Sequence, residues 1–237
     1  MPERTETYEF AVEGTPEIVV RNRAGNITIE RGAAGQVGVR VTKRAHGRLF
    51  SQATDDDLAR LIVNVAQQGN QIRVETDQRE MQGFLKNCQV DIAITAPAET
   101  NLELRMNAGN VDVRDLTGFI ECTVNAGNFD AFGVTLSGRS SFTVNAGNLT
   151  LEGAILPGAA LDAEVNAGNL RLRLPQDTPS YLEARADVGA IDVDDWPITI
   201  SRRVVQQRAS GPLGKDPQGT LNLRVNSGSI SVRAMER

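Results

Sequence analysis

The chain has 237 residues, 25 Lys and Arg against 30 Asp and Glu for a net charge of −5, 40% apolar residues and 4% aromatic residues. That apolar share suits a folded chain rather than a disordered one, and the acidic balance lacks the basic stripe of a nucleic-acid binder. So few aromatics also provide no row of stacking platforms for single-stranded nucleic acid.

In chain order, the charged start Glu3-Arg4-Thr5-Glu6 leads straight into strand-like sequence and is unlike a secretory leader. No apolar run approaches the roughly 18 residues of a membrane helix. The chain as it stands is therefore expected to be cytoplasmic, without direct membrane insertion, and envelope-associated or exported if a leader lies outside it. Glu17–Val20, Ile27–Glu30 and Val37–Thr42 read as strands by their apolar alternation. Thr54–Arg60 reads as a short helix, with Thr54 as N-cap and acids in the first turn. Leu61–Ala66 and Gln71–Thr76 flank Gln67-Gln68-Gly69-Asn70 as a hairpin, and Val90–Thr95 and Leu102–Met106 flank Ala96-Pro97-Ala98.

From there a repeat takes over. The turn Asn-Ala-Gly-Asn occurs at Asn107, Asn125, Asn145 and Asn166, spaced by 18, 20 and 21 residues. Asp187-Val188-Gly189-Ala190 and Asn226-Ser227-Gly228-Ser229 read as later copies, and Arg23-Ala24-Gly25-Asn26 as a degenerate first one. Aligned on the turn, Met106, Val124, Val144, Val165, Ala186 and Val225 form one apolar column, and Leu104, Cys122, Phe142, Ala163, Ala184 and Leu223 form another. Arg105, Thr123, Thr143, Glu164, Arg185 and Arg224 lie between them and point outward. After each turn the apolar–polar–apolar pattern resumes, as in Val111-Asp112-Val113 and Leu149-Thr150-Leu151. A second corner follows at Leu116-Thr117-Gly118, Leu136-Ser137-Gly138 and Leu156-Pro157-Gly158. Arg208–Gly219, rich in Gly and Pro, reads as a surface loop.

Self-similarity near 20 residues predicts an all-β, single-stranded β-solenoid, with coils stacked about 4.8 Å apart around a narrow apolar core. The expected organisation is one elongated domain over 1–237, irregular over 1–100 and built of regular coils over 101–237. The expected structural ladder comprises Asn107, Gly109 and Asn110; Asn125, Gly127 and Asn128; Asn145, Gly147 and Asn148; Asn166, Gly168 and Asn169; and Asn226 with Gly228. Glycine supplies the corner backbone, and a buried column of asparagines would satisfy its amides from coil to coil.

Chemistry-bearing residues are few. The sole histidine, His46, sits in a polar segment and reads as an exposed loop residue, and no serine lies in a nucleophile motif. Cys122 falls in an inward column and reads as a packed thiol; with Cys88 it makes neither metal-ligand spacing nor a disulfide scaffold. Asp112 and Asp130 should be neighbours on adjacent coils, and Asp192, Asp194 and Asp195 form a second acidic patch. No calcium-type repeat accompanies either of them, so both read as solvated faces. Glu164 beside Arg185 reads as a cross-strand ion pair. No catalytic, metal or cofactor residues are expected, and the outward columns change character at every coil, as on a solvated surface. Trp196, Tyr181 and Phe119 are scattered rather than aligned.

Repeated strand–(Asn/Ser)-x-Gly-(Asn/Ser)–strand units after Ala96-Pro97-Ala98, closing on Gly219–Ile230, resemble the bacterial putative-adhesin family, a toast-rack-like domain of unknown function. The resemblance spans about Tyr8 to Arg233. It implies a β-solenoid without catalysis that serves adhesion or envelope-associated scaffolding. The reading that follows is a non-enzymatic scaffold or protein-interaction module. Alternatives are a glycan or surface-polymer binding module, a polysaccharide lyase or hydrolase acting through paired carboxylates, and self-association through the coil ends.

Overall fold

The computed structural model describes residues 2–45, 58, 61–76, 88–202 and 205–235. His46, Glu236 and Arg237 lie outside the described residues, as does the candidate helix Thr54–Arg60 apart from Leu58. Every named element is a strand. The protein is all-β, 73% strand, with one 20-stranded sheet that wraps, nearly closed and barrel-like, about a single apolar core.

The wrapping follows from the turns. Each Asn-Ala-Gly-Asn turn bends the sheet, so the strands before the turns line one side of the core and the strands after them line the other. Before the turns, β2 (Glu17–Ala24), β8 (Asn101–Ala108), β11 (Ile120–Ala126), β13 (Arg139–Ala146) and β15 (Ala160–Ala167) pair parallel, with Ala24, Ala108, Ala126, Ala146 and Ala167 in register. After them, β3 (Ile27–Arg31), β9 (Val111–Arg114), β12 (Phe129–Leu136), β14 (Leu149–Ile155) and β16 (Leu170–Leu174) do the same, with Ile27, Val111, Phe129, Leu149 and Leu170 in register. The short β10 (Thr117–Gly118) pairs with β12 at the second corner. An extra residue at Gly133 shifts the register between Phe132 and Val134, absorbing part of the variation in repeat length.

Alternation decides what is buried. Leu104, Cys122, Phe142 and Leu223 on one side meet Val111, Phe129, Leu149, Leu170 and Ile230 from the other. The rings of Phe129 and Phe142 pack at 4.9 Å between centroids, tilted by 52°. Full burial of side chains of this size stabilises by about 1.5–3 kcal/mol each, so the core dominates the fold energetically.

The two ends are antiparallel. Ahead of the repeat, β5 (Val63–Gln68) and β6 (Gln71–Thr76) form the expected hairpin against β2. On the other side β1 (Glu3–Ala11), β4 (Gln36–Ala45) and β7 (Cys88–Ala96) lead into β3. At the far end, β17 (Ser180–Val193) pairs antiparallel with β19 (Gln207–Pro212), and β19 with β18 (Thr199–Arg202).

Two expectations are corrected here. Arg208–Pro212, read as the start of the loop Arg208–Gly219, belongs to strand β19. Its Gly and Pro residues are tolerated because Ala209, Gly211 and Leu213 keep the buried alternation and Pro212 falls at the strand end. Spatial order also departs from chain order: β20 (Gly219–Ala234) inserts between β15/β16 and β17, pairing parallel with all three. Glu164 therefore faces Arg224 rather than Arg185, and the expected Glu164–Arg185 pair does not form.

Candidate functional site

The repeat residues come together at one corner as two files of carboxamides. In the first, Asn125 Nδ2 donates to Asn107 Oδ1 (2.8 Å), Asn145 to Asn125 (2.7 Å) and Asn166 to Asn145 (2.6 Å), and Asn226 Nδ2 donates to Asn166 Oδ1. In the second, the backbone N–H and Nδ2 of Asn128 both donate to Asn110 Oδ1 (3.0 and 3.3 Å), and Asn148 and Asn169 repeat this on Asn128 and Asn148. Ser229 closes that file with its N–H and Oγ on Asn169 Oδ1 (3.2 and 2.7 Å). At the other end the N–H and Nδ2 of Asn26 donate to Asp91 Oδ1 (2.8 and 3.1 Å). These asparagines are exposed to half-buried, not enclosed as a buried column would be, because the corner projects from the core.

The glycines explain why the corner is so uniform. Gly109, Gly127, Gly147, Gly168, Gly228 and Gly189 have φ between 135° and 144°. A Cβ on Gly147 would lie 1.8 Å from the carbonyl oxygen of Gly127. Any side chain there would force neighbouring levels apart.

Hydrogen-bond direction also fixes the unexpected strand order. From Asn125 onward each level of the files donates a side-chain N–H or O–H back to the level before it. Asn226 and Ser229 can do so; Asp187 and Ala190, at the equivalent positions, cannot. Asp187 belongs at the end of the stack, where it accepts from Arg185 Nε (2.7 Å), Gln206 Nε2 (2.8 Å) and Arg224 Nη2 (3.3 Å). The Arg185 guanidinium first, then Gln206 and Arg224, hold its carboxyl below the usual aspartate range.

On the outer face beside this corner lies a trough of about 620 Å³ across β13, β15, β20, β17 and β19. One wall is Ser141, Asp162, Asn222, Glu183 and Ser210, in register across the five strands. The other is Thr143, Glu164, Arg224, Arg185 and Arg208. Asp162 accepts from Asn222 Nδ2 (2.8 Å) and Arg139 Nη2 (2.7 Å), and these contacts, Asn222 first, lower its pKa. Among the described residues the side chains of Arg208 and Glu183 make no hydrogen bond or ion pair. The expectation that the outward column changes character at every level is thus corrected at this end. Arg185 and Arg224 remain neighbours, and β19 adds Arg208 beside Arg185, which sets three arginines side by side. Arg208 was missed because its segment reads as a loop.

The other candidate residues are dispersed. Cys122 and Cys88 are buried, and burial pushes the Cys122 thiol far above its ordinary pKa, which suits a packing role. Asp112 and Asp130 do face each other across β9 and β12, and Arg114 bonds Asp112 through Nε and Nη2 (2.7 and 3.1 Å). The second acidic patch is paired rather than merely solvated: Arg233 Nη2 lies 2.6 Å from Asp192 and 2.9 Å from Asp194, and Asp195 accepts from the Ala234 N–H. Asp192 in turn raises the pKa of Asp194. Among the described residues no group of three or more His, Cys, Asp or Glu side chains is placed to hold a metal ion. No helix among them is long and apolar enough to cross a membrane. Trp196 is buried, its Nε1 donating to Gln176 O (2.9 Å), while Tyr181 stands exposed beside the trough.

Neither a protein-family model nor a curated protein matches the sequence. Solved structures do match its fold. A putative cell adhesion protein from Clostridium sporogenes aligns over 98% of this chain and 100% of its own, with a TM-score of 0.51 at 11% identity. A putative adhesin from Bacteroides fragilis aligns over 98% of this chain and 97% of its own, with a TM-score of 0.50 at 16% identity. The likeness to the putative-adhesin family therefore holds at the level of the fold.

Proposed function

We propose that this chain is a non-enzymatic, adhesin-like β-solenoid that presents a rigid outer surface to a partner, a surface polymer in particular. The Asn and Gly files serve as a structural ladder that fixes the register of the whole array as one elongated unit. The observation that carries the reading is the trough. It spans five strands locked in register, so its side chains are pre-ordered and a ligand loses little free energy in arranging them. The two solved structures named above carry adhesion in their names, which supports a role at the cell envelope or beyond it.

The test is co-sedimentation of the purified chain with a panel of insoluble polymers (peptidoglycan, cellulose, chitin and calcium-alginate gel), with reducing ends in the supernatant measured in parallel. Saturable binding without release of fragments is the expected outcome. Failure to bind any of the polymers overturns the adhesin-like reading, and release of fragments overturns the non-enzymatic one.

A further inference from the structure

Resting on that reading, we infer that the trough binds a linear acidic polysaccharide, with the carboxylates of its uronate residues on the arginine wall and its hydroxyls on the opposite wall. Arg224, Arg185 and Arg208 are adjacent on β20, β17 and β19, one strand spacing apart. Each guanidinium has five donors in a planar fork suited to a carboxylate. Asp187 occupies only part of Arg185, Arg224 is shared between Asp187 and Asn226 Oδ1 (3.0 Å) with Nη1 left over, and the Arg208 guanidinium is uncommitted.

The facing wall offers acceptors and small polar groups instead. Asp162, Glu183 and the Asn222 carbonyl oxygen can accept sugar hydroxyls, and Ser210 can donate or accept. The Glu183 side chain has no partner among the described residues. The trough runs across five strands, roughly 19 Å at 4.8 Å per spacing, and its walls stand about 7 Å apart, two residues along a strand. It is long and narrow, as an extended polymer requires. Tyr181, 39% exposed, stands on β17 two residues from Glu183, where its ring can cover a sugar face.

Competing polymers fit less well. A nucleic acid carries phosphates along its backbone but no row of hydroxyls beside them to donate to Asp162 and Glu183, as a uronate chain does. An extended peptide binds a sheet by adding to a free edge, whereas this trough is a sheet face whose backbone groups are already used in the strand ladders.

Calorimetric titration of the full chain with size-defined oligogalacturonate tests the inference, with cello-oligosaccharide and polyglutamate of matched length as comparisons. Oligogalacturonate is expected to bind saturably and more tightly than either. Arg208→Gln should weaken it by roughly tenfold, the scale of one charge-assisted hydrogen bond, while Arg171→Gln on the opposite side of the sheet leaves it unchanged. Glu183→Gln is the sharper variant. Removing a like charge would tighten a purely ionic contact, but exchanging a carboxylate for the weaker amide acceptor loosens a contact to sugar hydroxyls, and loosening is expected. Thermal unfolding of each variant confirms that it is folded. Binding of cello-oligosaccharide alone overturns the acidic class while leaving the adhesin-like reading intact; binding of none of the probes, with no polymer retained in the sedimentation panel, overturns both. Unchanged affinity in Arg208→Gln, tightening in Glu183→Gln, or equal affinity for polyglutamate overturns the assignment of the trough.

Discussion

Single residues at the corner and in the core have sharply different tolerances, and the geometry ranks them. Gly147→Ala sets a Cβ 1.8 Å from the Gly127 carbonyl oxygen at a φ of 143°, so a loss of about 3 kcal/mol or more is expected in urea unfolding. Gly138→Ala has a comparable sign of φ, 64°, but nothing within 4 Å of the new Cβ; about 1 kcal/mol is expected there. Val144, 1% exposed in an inward column, gives the largest effect. Val144→Asp buries an unpaired charge and should cost about 4 kcal/mol or more, whereas half-buried Thr150→Ser stays within about 0.5 kcal/mol. Equal thermal midpoints for Val144→Asp and Thr150→Ser would contradict the strand register. These inward and outward columns were legible in the sequence, since alternation within a strand maps directly onto the two faces of a sheet.

Strand-to-strand contacts carry the second scale of argument. Asn145 links three levels, donating to Asn125 and accepting from Asn166. Asn145→Asp removes the donor and sets a charged oxygen against the Asn125 carbonyl oxygen, so a loss of about 1–2 kcal/mol is expected in urea unfolding at neutral pH. Asp187 ties β17 to β20 through Arg224 and is braced within β17 by Arg185, with a folded-state pKa below its ordinary 3.8. A depressed carboxyl pKa means stability that is fully present above the unfolded-state value and is lost as pH falls through the folded one. The stability gap between the native chain and Asp187→Asn should therefore be constant near neutrality and should shrink below about pH 4. A gap that grew on acidification would show that Asp187 is not held by these guanidinium groups.

For the whole molecule, the unpaired side of an edge strand is where a second copy could add to the sheet. Among the described residues β1 pairs only with β4, and its inward side carries Glu6 as well as Tyr8 and Phe10. Lys43, buried in the inward column of β4, donates to Glu6 Oε1 (3.0 Å), and the Tyr8 hydroxyl donates to Glu6 Oε2 (2.9 Å). An inward-pointing charge is a known deterrent to edge-to-edge pairing. Light scattering across a concentration series should give a constant mass for the native chain and concentration-dependent growth for the double variant Glu6→Leu, Lys43→Met. Growth of the native chain would mean that this edge is not protected, and an unchanged mass for the double variant would assign the protection to other groups.

The sequence by itself determined the all-β class, the repeat, the inward columns and the corner at which Asn and Gly recur. Each of these is a local pattern: strand alternation has a period of two, and a glycine or carboxamide needs the same neighbour at every level. Tertiary structure decided the order of the final strands, because β20 pairs with residues 39 and 60 positions before it and chain proximity says nothing about such pairings. That insertion breaks the expected pairing of Glu164 with Arg185, and the pairing of β19 with β17 extends the adjacent Arg224 and Arg185 into the row Arg224, Arg185, Arg208. A surface site is built from side chains on several strands, so its composition depends on which strands are neighbours, and only the folded sheet defines that.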